Sequence, residues 1–120
     1  MTDAPPKPLR VLFCIGVTQN FFDLPSSETG KVWQAYSAMF SAIAKQEGLS
    51  VLGTMDDDRV MVGTSAAWPW TCYILADVAD FDGVVKVCDL FRSTPVEGGE
   101  KLWKYGRIEA RIGRELVMQT

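Results

Sequence analysis

The sequence predicts an α+β domain in strand–helix–strand–strand–helix–strand order, and three observations carry that reading. Its 120 residues fit one domain and argue against two. A continuous apolar run of strand length stands at 11–17 (VLFCIGV), as a strand covered on both faces would show. Two other segments, 28–46 and 81–91, repeat their apolar residues at helical spacing.

Residues 1–8 hold Pro5, Pro6 and Pro8, half of the six prolines. They read as a flexible lead-in to a single domain over 9–120. After the first strand, residues 18–26 (TQNFFDLPS) form a loop with two exposed phenylalanines. Ser26 or Ser27 caps the first helix, and Glu28 falls in its first turn, where the helix dipole favours an acid. Val32, Tyr36, Met39 and Ile43 form the buried stripe of that helix, with Trp33, Phe40 and Ala44 beside it; Gly48 stops it. The second strand covers 49–55. Three aspartates at 56–58 make an acidic turn, and 60–62 returns as a short strand or bulge. Trp68-Pro69-Trp70 opens the third strand, 71–76. Asp80 caps the second helix, with apolar positions Phe81, Val84, Val85, Cys88 and Phe91, and Thr94-Pro95 ends it. A Gly-rich loop at 96–100 leads to the last strand, 102–112.

This order is the split βαβ, ferredoxin-like plan. Right-handed crossovers then give an antiparallel sheet in the order 4-1-3-2 with both helices on one face. In the last strand Ile108, Ala110 and Ile112 face the helices, which leaves Trp103, Tyr105, Arg107, Glu109 and Arg111 on the open face. Large aromatics on both faces suggest that the open face is covered too. A second copy packed by two-fold symmetry is the simplest cover, so the expected assembly is a homodimer forming a dimeric α+β barrel.

Composition narrows the chemistry. A net charge of −3 argues against nucleic acid as a partner. The absence of histidine removes the commonest general base, the commonest metal ligand and the usual haem ligand. Cys14, Cys72 and Cys88 show no CxxC spacing and are too few for a disulfide framework. They read as free thiols in a reducing cytoplasm. No apolar run is long enough for a membrane span, and the N-terminus shows no apolar signal region. The three aspartates lack the spacing of a calcium loop, and GxxxxGK, GxGxxG and GxSxG are all absent. The expectation is a cytoplasmic protein with no metal and no cofactor.

Topology suggests where a site would lie. The end of the first strand stands beside the starts of the third and fourth, and it is there that the sequence gathers its four tryptophans. Phe21, Trp33, Trp68, Trp70 and Trp103 would line an aromatic pocket of the usual small-molecule kind, with Arg107 holding a carboxylate. Asn20 would stabilise an oxyanion, and Tyr73 or Tyr105 would move protons. Each has a plainer alternative. The tryptophans can be core plugs or dimer contacts, Asn20 a cap, and the tyrosines packing residues. Arg107 can pair with Glu109.

The strings RVLFCIG, QNFFD, VLGTMDDD, WPWTCYILADV and LWKY…EAR resemble the small IacB-type proteins of bacterial indole-3-acetic acid degradation clusters, over about residues 9–115. The plan is also similar to the dimeric α+β-barrel superfamily, which includes cofactor-free monooxygenases, muconolactone isomerases and haem-degrading enzymes; the lack of histidine argues against the last. The resemblance implies a protein of aromatic-acid catabolism that binds an oxidised indole or similar aromatic acid. It would act either as a cofactor-independent isomerase or monooxygenase, or as a non-catalytic accessory protein for a pathway intermediate or oxygenase. It carries over no catalytic residue, and fold analogy does not decide among these.

Overall fold

Alternation along the first strand decides which side of the sheet is dry. In β1 (Leu9–Val17) the side chains of Val11, Phe13, Ile15 and Val17 are all buried. Successive residues of a strand point to opposite faces, so these four share one face. The computed structural model, which describes residues 7–57 and 70–118, arranges the rest around them. There follow α1 (Gln19–Phe22), α2 (Ser26–Lys45), β2 (Leu49–Asp56), β3 (Cys72–Val78), α3 (Phe81–Ser93), a 3-10 turn (Leu102–Lys104) and β4 (Gly106–Gly113).

The sheet is antiparallel throughout, in the order β2-β3-β1-β4. This is the expected 4-1-3-2 order read from the opposite edge, and the α+β architecture is compatible with the ferredoxin-like plan. Val11, Phe13 and Ile15 pair with Ala76, Ile74 and Cys72 on one side and with Ile112, Ala110 and Ile108 on the other. Onto this face α2 lowers Val32, Ala35, Tyr36, Met39 and Ile43, and α3 lowers Val84, Val87 and Phe91. Burying each large side chain of this core stabilises the fold by roughly 1.5–3 kcal/mol.

The helix ends follow local chemistry. Asp80 caps α3: its carboxylate accepts the Gly83 N–H at 2.8 Å. Glu28 sits in the first turn of α2 and Lys45 in its last, each matching the helix dipole. Gly48, with φ of +81°, takes the left-handed turn from α2 into β2.

Several expectations need correction. The N-cap of α2 is Pro25, and Ser26 is already helical. The loop at 18–26 contains the single turn α1, and of its two phenylalanines only Phe22 is exposed, because Phe21 turns into the core. On α3 Phe81 and Val85 face solvent, and Val87 takes the buried position. The last strand begins at Gly106, since residues 102–104 coil into the 3-10 turn. That coil breaks the alternation, so Tyr105 is buried in the helix-side core and does not join the open face. The short strand or bulge expected at 60–62 lies outside the described residues.

Candidate functional site

The two long helices do not cover the whole sheet. β2 is an edge strand whose residues from Ser50 onward are exposed on both faces. Between it and the flank of α2 lies an open cavity of about 490 Å³, well inside the range of small-molecule sites. Trp33, Tyr36, Phe40, Ile43 and Ala44 of α2 form one wall. Ile15 and Val17 of β1 and Cys72 and Ile74 of β3 form the floor, and Val51, Thr54, Met55 and Asp56 of β2 form the outer wall, with Thr71 and Tyr73 at one end.

Aromatic rings run along the α2 wall. The Phe21 and Trp33 centroids are 5.0 Å apart, Trp33 and Tyr36 5.6 Å, and Tyr36 and Phe40 6.0 Å. Phe91 of α3 meets Tyr36 edge-on at 5.8 Å. Trp33 is half exposed, whereas Tyr36 is sealed, so the wall grades from wet to dry. The Tyr36 hydroxyl donates to the Tyr105 carbonyl at 3.3 Å, and burial pushes its phenol far up. It is therefore a neutral donor at any ordinary pH.

Polar groups are few. Thr71 spends its hydroxyl on the Ile15 carbonyl at 2.9 Å. The Cys72 thiol is pushed up, first by burial and then by Asp56. It is a thiol rather than a thiolate at neutral pH. Tyr73 borders the cavity, but strand alternation puts its side chain on the opposite face from Cys72 and Ile74, in the row of Cys14 and Met55. Desolvation, then Asp57, raises its phenol. Among the described residues no group of His, Cys, Asp and Glu could hold a metal ion.

The residues singled out in the sequence are dispersed. Trp33 lines the cavity, and Tyr73 borders it. Phe21 stacks behind Trp33 as a buried support. Asn20 donates its side-chain amide to the Lys104 carbonyl at 3.0 Å, where the Thr18 hydroxyl also donates at 3.0 Å. It thereby ties α1 to the 3-10 turn. Tyr105 lies under Tyr36 in the core. Trp103 stands 62% exposed on the 3-10 turn, on the β4 side of the sheet and away from β2. Trp70 is half-buried just before β3 and is not part of the cavity wall. Arg107 pairs in register with Gly16 on the open face, across the sheet from the cavity. Trp68 lies outside the described residues. Of the residues named from the sequence, Trp33 and Tyr73 are thus the ones at this cavity among the described residues. Trp103 stands outward on the 3-10 turn, and the cavity opens at the β2 edge.

The wall residues the sequence left unassigned include Phe40, Ala44, Thr54, Met55, Asp56 and Cys72. For Phe40 and Ala44 a signal exists: with Trp33 they sit beside the buried stripe of α2, on a second apolar flank. No protein family matches the chain, and no curated protein is significantly similar to it. Among the described residues no helix is long and apolar enough to cross a membrane.

Proposed function

We propose that this protein binds a flat, largely apolar small molecule in the cavity between α2 and the β2–β3 edge. The observation that supports it most is the aromatic wall of Trp33, Tyr36 and Phe40 facing an open space of about 490 Å³. Trp33, half exposed, and Phe40, half-buried, leave apolar ring surface beside that space for a ligand to cover. The resemblance to IacB-type proteins adds an indole-derived compound of aromatic catabolism as the ligand to try first. It also carries the proposed cytoplasmic setting, in keeping with three free cysteines.

The site supports binding more directly than turnover. Asp56 is the one carboxylate among the described wall residues, and Tyr73 turns its phenol to the other face. A binding or accessory protein is thus the reading the geometry favours over an isomerase or monooxygenase. We also propose that a second copy covers the open face of the sheet.

The test is ligand titration followed by amide chemical shifts, with indole as the first probe. Wild-type protein should show saturable shifts confined to α2, β2 and β3, and bound ligand should slow alkylation of Cys72. Thr54→Trp places a ring in the cavity from an exposed strand position that tolerates aromatics. It should weaken binding more than about tenfold, the loss expected when a ligand's apolar contact area is displaced. Shifts scattered over the surface, or unchanged affinity in Thr54→Trp, would refute the site.

A further inference from the structure

The cavity wall carries a charge pattern that says which end of a ligand it would take. Asp56 is the only ionised side chain among the described lining residues. It closes β2 and pairs in register with Cys72, so it stands on the helix-facing side with the cavity. Among the described residues it forms no ion pair: the four that occur join Arg10 to Asp77, Lys31 to Glu28, Lys104 to Glu100 and Arg111 to Glu109. The rings of Trp33, Tyr36 and Phe40 line the same space. Aromatic faces attract cations through their negative π clouds, most strongly where water is thinned. A carboxylate and an aromatic wall around one apolar space both favour a positive group and both disfavour a negative one.

Resting on the reading of the cavity as a ligand site, we propose that its ligand is an arylalkylamine: a flat ring against the α2 wall with a protonated nitrogen reaching Asp56. An aromatic carboxylic acid is the poorer fit. Its carboxylate would meet Asp56, and Arg107, the cation assigned to such an acid from the sequence, lies on the opposite face of the sheet.

The experiment compares three probes of one ring system at neutral pH and low salt: tryptamine, neutral indole and indole-3-acetate. Affinity is read from amide shifts and from protection of Cys72 against alkylation. Tryptamine should bind at least about tenfold more tightly than indole-3-acetate, with indole between them, and added salt should narrow the spread. Asp56→Asn, at an exposed position, should abolish the ranking of the charged probes. Equal or tighter binding of indole-3-acetate, or a ranking that survives Asp56→Asn, overturns the amine assignment and leaves the cavity standing as an apolar site. Absence of binding by all three probes overturns both the cavity and the assignment built on it.

Discussion

Gly106 shows how one missing methyl joins two elements. A Cβ at this position would fall on the Tyr36 hydroxyl and lie 2.7 Å from the Phe91 ring. Tyr36 is 2% exposed, and its hydroxyl is tied to the Tyr105 carbonyl just before β4, so moving it aside breaks that bond. Gly106→Ala should therefore destabilise the protein by about 1–3 kcal/mol, the usual cost of overpacking a core. Tyr36→Phe removes only the hydroxyl. The Tyr105 carbonyl keeps the Thr18 N–H at 3.0 Å, so the loss should be about 0.5–1.5 kcal/mol. Urea denaturation of the two variants checks the ranking, and a near-neutral Gly106→Ala would show that Tyr36 is free to move.

Elements divide into those whose signals are local and those set by their neighbours. The cap of α3 is local: Asp80, then Gly83 three residues on, is visible in the sequence and present in the fold. Asp80→Ala should cost about 1 kcal/mol by orphaning the Gly83 N–H, whereas Asp82→Ala, lacking that bond, should cost less; urea midpoints measure both. The stripe Val32, Tyr36, Met39, Ile43 was legible for the same reason, because helical period exposes a core face. The segment 102–105 was not. Its alternation of Leu102, Trp103, Lys104 and Tyr105 imitates a strand, yet Lys104 and Tyr105 donate their N–H groups to the carbonyls of Lys101 and Leu102, closing turns three residues long. That local competition moves Tyr105 into the core and Trp103 into solvent. The actual cavity depends on where α2 stops covering β2, a tertiary fact to which no single residue testifies. Only the apolar flank of Trp33, Phe40 and Ala44 pointed toward it.

At the scale of the molecule, the helix-free face of the sheet decides the assembly. Register sorts that face into rows. Gly53, Leu75, Leu12 and Arg111 form one; Met55, Tyr73, Cys14 and Glu109 lie on one side of it, and Asp77 and Arg10 on the other. Leu12 and Leu75 thus stand centrally, between the Arg10–Asp77 pair at 2.6 Å and the Arg111–Glu109 pair at 2.9 Å. An apolar middle with charges of both signs around it is the make-up of an interface core and rim, and a two-fold dimer requires a patch that complements itself. If the proposed second copy sits here, light scattering at micromolar concentration should give twice the 13.3 kDa chain mass. Leu75 is 36% exposed, so Leu75→Glu should fold as a monomer yet place two buried charges together in the dimer. Its dissociation constant should rise by at least about thirtyfold, equivalent to ~2 kcal/mol for a central interface residue. Val85→Glu, a change of similar size on the exposed side of α3, should leave the mass unchanged. A wild-type mass of one chain would remove the dimer, and dissociation by Val85→Glu with no effect of Leu75→Glu would move the contact from the sheet to the helices.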